Sequence, residues 1–480
     1  MKKSIKRNAV LNVAKQIFQI IFPIITVPYV TRVLLPENYG KVIFGSSIIS
    51  YIALIAGLGV SSYAVREGSL IREKKVEFNI FSSQVFTINL LSTILAYVVL
   101  VTLLLMIPFL GEYKLLILIL STSVFFTTLG TDWINIIEED YVFITIRYVL
   151  FQISSLLLVF LFVNKPEDYY AYAIITVFSS AGANLFNFFY VRKYVKLSLV
   201  FKFDWKRHLI PIFILFSNII AMTIYVSSDI TMLGFFKGDA EVGVYSIATK
   251  IYAAIKQIFC AVVVVSIPRL TAYIGSDDKD SYTKLVHKVM NTLLMVMCPL
   301  IAGIIVFREQ VILIAGGGAY LAGSNSLFIL SVAMIFSTAA IFFNSILMSL
   351  RQECYILKGT AIAAIVNVIL NLFFIPRLGG VGAALTTLIS ELYVALYFYY
   401  LVKKDGYVFF EKRVIILSAL GGICVAAVSY ILKTSISSWL LSLVASFVLS
   451  SVLYVFIHII GRNQFVFEFL PNSIFKNRQI

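Results

Sequence analysis

Histidine is almost missing: His208, His287 and His458 are the only three in 480 residues, no carboxylate stands near them at ligand spacing, and no HExxH run occurs. The commonest metal-ligand and catalytic constellations are thereby removed. Cysteine is as sparse. Cys260, Cys298, Cys354 and Cys424 lie far apart in or beside apolar runs without CxxC spacing, so they read as small apolar packers and not as a disulfide framework. The glycine run Ala315-Gly316-Gly317-Gly318-Ala319 lacks the Gly-Lys-Ser/Thr of a phosphate loop, which argues against ATP handling. Charge is scarce at 13% of residues. The one compact acidic run, Glu138-Glu139-Asp140, is expected to cap a solvated turn and not to hold a metal. No metal site, cofactor or enzymatic centre is expected.

What fills the chain instead is apolar bulk, 60% hydrophobic residues with a mean hydropathy of +0.95, too apolar for a soluble domain of this length. The formal net charge of +15 would suggest nucleic acid in a soluble protein. Here the bases are scattered through short loops beside apolar runs, where they set orientation, so no nucleic acid is expected. The start, Met1-Lys2-Lys3-Ser4-Ile5-Lys6-Arg7, resembles the basic region of a signal peptide. The run behind it continues to Val30, carries Lys15 and Gln16, and ends on no small-residue cleavage site, so an uncleaved helix is expected.

A spanning helix needs roughly 20 apolar residues. Such runs occur at 10–31, 42–64, 79–109, 114–136, 141–163, 169–191, 209–235, 243–267, 289–307, 326–350, 359–376, 380–402, 413–432 and 439–461. With the N-terminus in the cytoplasm, the cytoplasmic tails and loops hold 27 of the 39 Lys and Arg, the outer loops 8 and the helix interiors 4. That bias places both termini in the cytoplasm. The richest loop, Arg192 to Arg207, divides the spans into comparable halves. Arg147 and Lys358, Pro166 and Pro376, and Ser180 and Ser390 each lie about 210 residues apart, and Pro36-Glu37-Asn38-Tyr39-Gly40 and Ala240-Glu241-Val242-Gly243-Val244-Tyr245 both join a first helix to a second. The expectation is an all-α polytopic membrane protein of about fourteen transmembrane helices. Two pseudo-symmetric six-helix bundles occupy residues 1–208 and 209–402, two further helices occupy 413–461, and a cavity lies between the bundles.

Polar residues recur at helical period on several spans: Asn8, Asn12, Lys15, Gln16, Gln19 and Thr26 on the first; Ser121, Thr128, Asp132 and Asn135 on the fourth; Thr176, Ser180, Asn184 and Asn187 on the sixth; Asn218, Tyr225 and Asp229 on the seventh. Such faces avoid lipid, either as a substrate path or as glue between helices. Charge discriminates better, since a Lys or Arg at mid-bilayer costs about 2.5–3.5 kcal/mol even on the lenient scale. Lys15, Arg147, Lys250 and Lys256 fall inside spans and Arg32 at the outer end of the first, against three acids, Asp132, Asp229 and Glu391. The surplus of base points to an anion-accepting cavity. Snorkelling of Arg147 and internal pairing of Arg32 or Lys256 are the structural alternatives. Asp229 and Glu391 are candidates for sensing a coupling cation. The alternative is permanent pairing, Asp229 with Lys250 or Glu391 with a base of the other bundle.

The run from Pro28-Tyr29-Val30-Thr31-Arg32 through Pro36-Glu37-Asn38-Tyr39-Gly40, with Gly57-Leu58-Gly59, Val65-Arg66-Glu67-Gly68, Ser228-Asp229, Glu241 to Lys250, Ile267-Pro268-Arg269-Leu270 and Gly379 to Ala384 ending at Glu391, resembles the polysaccharide flippases of the multidrug/oligosaccharidyl-lipid/polysaccharide exporter superfamily, the Wzx or O-antigen transporters. Leu34-Leu35 departs from that family's usual Leu-Gly. The resemblance implies a fourteen-helix protein of the bacterial inner membrane that moves undecaprenyl-diphosphate-linked oligosaccharide for lipopolysaccharide or other polysaccharide synthesis. Its partners would be the cargo and membrane lipid, with polysaccharide polymerase and chain-length proteins as further candidates. Lys15, Arg32, Arg147, Lys250 and Lys256 would then meet the diphosphate. A cation-coupled multidrug antiporter, whose cavity should favour acids, and a membrane-embedded polymerase or ligase, which should carry a large charged outer loop, are the rival expectations; the longest outer loop expected here is 308–325.

Overall fold

The computed structural model describes residues 5–276, 278–404, 412–461 and 463; the side chains of 5–14, 16, 17, 20 and 218 lie outside the described set, and with them Asn8, Asn12, Gln16 and Asn218 of the expected polar stripes. The chain ends, 1–4 and 464–480, on which the expected cytoplasmic termini bear, are also outside it. Among the described residues the regular structure is helical throughout, and two compact units form: Met1–Ser246 with Ala315–Ala319, and Ile247–Ile314 with Tyr320–Ile480.

The first unit is organised round α1 (Ile5–Gly57), which is broken once, at Leu35 (φ 60, ψ 169), immediately before Pro36. Proline disfavours helix in the residue before it and supplies no amide to the turn behind, so one residue is enough to separate two spanning helices. After the left-handed pair Leu58 and Gly59 comes α2 (Val60–Ile71), then α3 (Lys75–Met106) and α4 (Lys114–Gly130). Thr131 (φ 42, ψ 42) sets off the short α5 (Asp132–Ile137) from α4. Next are α6 (Tyr141–Phe162), and α7 (Tyr169–Val177) and α8 (Ala183–Tyr190) joined through a wider turn at Phe178–Gly182. The unit closes with α9 (Trp205–Lys237), capped by Asp204, whose carboxylate accepts from the Lys206 and Arg207 amides, and with the start of α10 (Asp239–Val264). Helix α1 packs against α3, α4, α6 and α9.

The break at Leu35 has a counterpart. Gly238 (φ 85, ψ 178) separates α9 from α10 with nearly the same backbone angles, as the two expected linker motifs imply for a repeat. The two breaks also touch: a methyl group on Gly40 would overlap the Asp239 carbonyl, and one on Gly243 would overlap the Pro36 carbonyl. Reciprocal glycines permit that backbone-to-backbone crossing.

The second unit contains the rest of α10 and α11 (Ile267–Gly275), α12 (Lys279–Val306), α13 (Arg308–Ala315), α14 (Ser324–Ser349), α15 (Glu353–Leu378), α16 (Gly380–Lys404), α17 (Lys412–Ser435) and α18 (Trp439–Ile460). Here α14 packs against α16 and α12, and α17 against α12 and α18. Helix α13 and a short 3-10 turn, Gly318–Gly323, occupy the stretch expected to be an outer loop. Eight residues starting on Arg308 and Glu309 are too short and too charged at one end to give the signal of a span.

Each of the fourteen expected spans overlaps helical structure, although 42–64 runs across the break at Leu58 and Gly59 and 114–136 across that at Thr131. Among the described residues twelve stretches are long and apolar enough to cross a bilayer, one of which, Ile21–Ile71, contains the two helices split at Leu35; Lys114–Gly130, at 17 residues, falls just short. The packing is inverted relative to a soluble protein. Along α3, Leu91, Ile94, Leu95, Val98 and Leu105 face outward while Ser82, Ser83, Thr87, Ser92 and Thr93 are buried. On α18 the buried residues are Ser442, Ser446, Ser450, Tyr454 and His458, one per four residues. They form a narrow seam against Ser418, Gly421 and Ser429 of α17, with Ser429 and Ser450 hydroxyls 3.4 Å apart. Small residues allow such close approach where lipid removes any hydrophobic drive between helices.

Candidate functional site

In the first unit the polar stripes of the fourth and sixth spans meet one another. Because Thr131 breaks the helix, Asp132 falls on the first turn of α5, where its Oδ1 accepts from Arg147 of α6 at 2.6 Å and from Asn187 Nδ2 of α8 at 2.9 Å. Asn187 Nδ2 also donates to the Gly130 carbonyl left over at the end of α4, while Asn187 Oδ1 accepts from Asn135 at 2.6 Å. Arg147 is 8% exposed and does not snorkel; its guanidinium also lies over the Phe143 ring, 5.5 Å from the centroid. Asp132 keeps 45% of its side-chain surface. That free edge lines a cavity of about 180 Å³ with Ser61, Asn89, Ser123, Thr127 and Thr128.

Lys15 stands beside this network. It is half-buried on α1, its ammonium 5.6 Å from the centre of the Tyr148 ring, and its charge interacts with Asp132 and Arg147. Two basic side chains share one carboxylate here. Below Tyr148 on the same helix, Gln152 accepts from Ser179 at 2.9 Å. Arg32 is elsewhere, seventeen residues or about 25 Å along α1. It is exposed, donates to the Pro28 carbonyl, and lies against Gly317 (φ 90), where a side chain would crowd its Cγ.

The remaining candidates fall into two groups. Asp229 of α9 is buried and accepts from Tyr245 at 3.1 Å. In the second unit Lys250 is half-buried on α10, and Lys256, about one and two-thirds turns further, lies 2.5 Å from Glu391 Oε1 of α16. Tyr252 donates to the same oxygen at 2.8 Å. Glu391 is therefore paired, with a base of its own unit and not, as one expectation had it, with the other bundle. Among the candidate cations, Arg147 is matched by Asp132 and Lys256 by Glu391. Asp132 was recognised among the buried acids but not as the partner of Arg147; the signal was the fifteen-residue spacing across a single tight turn. The second unit also holds an apolar cavity of about 460 Å³ between α12, α17 and α18, lined by Pro299, Gly303, Phe307, Val425 and Phe447 with Ser446 and Ser450.

Known proteins fit this geometry. The chain is 18% identical to the structure titled "Lipid II flippase MurJ, inward closed conformation", covering 95% of this chain and 99% of that one with a TM-score of 0.74. It is 16% identical to an inward-facing multidrug resistance MATE family transporter of the MOP superfamily, covering 82% and 94% with a TM-score of 0.60. These likenesses show the fold. Among curated proteins it is 26% identical to the "Probable low-salt glycan biosynthesis flippase Agl15" of Haloferax volcanii, over 35% of each chain. It is 22% identical to the "Putative O-antigen transporter" of Escherichia coli K12, over 56% of this chain and 66% of that one. The matched region thus spans about a third of the first of these relatives and just under two thirds of the second. The family model described as polysaccharide biosynthesis protein matches residues 5–274, more than half of the sequence, and the chain belongs to that family.

Proposed function

We propose that this protein is a flippase that carries undecaprenyl-diphosphate-linked oligosaccharide across the bacterial cytoplasmic membrane by alternating access, without a chemical step. The observation that carries the reading is Lys15. It is a half-buried cation inside a spanning helix, stacked over Tyr148, beside an arginine already matched by Asp132. An intramembrane ammonium with surplus charge is costly unless an anion visits it. A diphosphate leaving water needs what this site supplies, a cation within reach and hydrogen-bonding side chains round it. The Asn, Ser and Thr groups lining the adjoining cavity suit sugar hydroxyls. The apolar cavity of the second unit has the lining that a polyprenyl tail requires. Lys250 of the second unit is assigned to anion contact as well, Arg32 to a position nearer the outer surface, and Arg147 to holding Asp132 in place. Both termini are assigned to the cytoplasm, and a polysaccharide polymerase would receive the flipped product.

A multidrug exchanger shares this fold. Its cationic cargo would call for unpaired acids, whereas Asp132 and Glu391 are both matched by bases. The test uses proteoliposomes with fluorescent lipid-linked oligosaccharide and an impermeant quencher. Lys15→Gln should slow flipping at least tenfold, and Lys15→Arg should retain most of it, at equal protein incorporation. Equal rates for both variants would remove the diphosphate from Lys15. Failure of the wild-type protein to move the lipid-linked sugar while it moves a cationic dye would replace the reading by the exchanger.

A further inference from the structure

The segment between α8 and α9 is neither helix nor detached loop. It lies along the first turns of α3 through a ladder: the Lys196 amide donates to Asn79 Oδ1 (2.9 Å), the Ser198 amide to Ser83 Oγ (3.2 Å) and the Val200 amide to Thr87 Oγ1 (3.1 Å). The two periods are commensurate. Four helix residues advance about 6 Å and two residues of extended chain about 6.6 Å, so alternate amides of this strap meet successive side chains four apart on the helix. The inner side is anchored as well. Val191 and Val195 are buried with Trp133, Ile134 and Ile137, and Phe203 and Trp205 pack against that cluster.

The outer side of the strap is of another character. Leu199 and Phe201 are 53% and 59% exposed, interleaved with exposed Lys196 and Lys202 and followed by exposed Lys206 and Arg207. From Arg192 to Arg207 there are six bases and a single acid, Asp204; of the bases, Lys193 is matched to Asp140 at 3.2 Å. The depth of the strap follows from α3. Its 32 residues make a rod of about 48 Å, some 18 Å more than the hydrocarbon core needs, and the Lys74–Lys75 end must stand in the polar zone. Asn79 to Thr87 lie about 6 to 18 Å in from Lys75, which brackets the boundary between headgroups and acyl chains.

We propose that residues 196–202 form a membrane-interface anchor, seating Leu199 and Phe201 at the acyl boundary and binding the headgroup phosphates of anionic phospholipid through Lys196, Lys202, Lys206 and Arg207. Bases near an anionic surface are attracted to it, and apolar residues beside them add burial. This site does not depend on what the protein transports.

The test places a reporter at Phe201 in the full-length protein. Trp133, Trp205 and Trp439 are replaced by Phe, Phe201→Trp is introduced, and the protein is reconstituted in nanodiscs of phosphatidylcholine and phosphatidylglycerol in which only one of the two carries brominated acyl chains. Bromine on either lipid should quench the fluorescence, about twofold or more strongly when phosphatidylglycerol carries it. Lys196→Gln with Lys202→Gln should bring the two to parity. Absence of quenching would place Phe201 in water or under protein. Equal quenching before the lysines are changed would leave apolar contact without headgroup binding; both results overturn the anchor. Should the tryptophan replacements disturb folding, a spin label at Phe201→Cys, in a chain lacking Cys260, Cys298, Cys354 and Cys424, gives the same decision. Oxygen should reach it better than a water-soluble nickel chelate, and the reverse order sinks the proposal.

Discussion

At the scale of single residues, the buried charges are unequal partners. Arg147 is almost wholly enclosed and Asp132 is only half so, and a charge stranded in low dielectric costs far more than one that keeps water. Asp132→Ala should therefore lower stability by on the order of 3 kcal/mol, and Arg147→Met by clearly less; thermal unfolding in one detergent compares them, and equal losses would contradict the asymmetry. Asp140 makes a second residue-level prediction, at the edge of the bundle. Burial pushes its pKa up, but the hydroxyls of Tyr190 and Tyr194, both 2.6 Å from Oδ2, and the Lys193 ammonium outweigh it and bring it down to about 2. A depressed carboxylate pKa stabilises the fold above the ordinary value near 4, and the gain is lost as pH falls from there through about 2. At pH 7 Asp140→Asn should cost on the order of 2 kcal/mol, with the gap between variant and wild type closing between pH 4 and 2. These pairs show what a single sequence conceals. The cost of buried charge marked Arg147, Lys256, Asp132 and Glu391 as a set, yet Lys256 and Glu391 are 135 positions apart, and nothing in hydropathy or period joins two residues across that distance.

At the scale of helices, most of what was expected held because twenty apolar residues and a cluster of bases are strong signals, while breaks one residue wide are weak ones. The α1 break was expected as a ten-residue loop, 32–41; the chain is instead helical on both sides of Leu35. The strap is not legible in the sequence although Asn79, Ser83 and Thr87 are spaced by four, because a polar stripe on a helix reads equally as a face toward another helix. The crossing of the two breaks gives a test by glycine. Gly40→Ala would drive a methyl group into the Asp239 backbone, which cannot rotate away, and should cost on the order of 2 kcal/mol. Gly57→Ala meets nothing nearby and should be neutral or stabilising by up to about 1 kcal/mol. Unfolding midpoints in the order Gly57→Ala, wild type, Gly40→Ala are expected; an unaffected Gly40→Ala protein would mean that the crossing has room the structure denies it.

At the scale of the whole molecule, the distribution of bases predicts that the loop containing Lys202 lies in the cytoplasm and the segment containing Gly317 outside. In a chain with Cys260, Cys298, Cys354 and Cys424 replaced, Lys202→Cys should react with an impermeant maleimide only in inverted vesicles and Gly317→Cys only in right-side-out ones. Reaction of both from one side would break the expected fourteen-span topology. The inverted packing bears on a different matter, the freedom of such a chain to change. Its outward faces need only be apolar, a demand that Leu, Ile, Val and Phe meet almost interchangeably, whereas seams such as Ser442, Ser446 and Ser450 on α18 accept little beyond another small side chain. Most of the lettering can then be rewritten without moving a helix, which is how 18% identity and a TM-score of 0.74 come to describe the same pair of proteins.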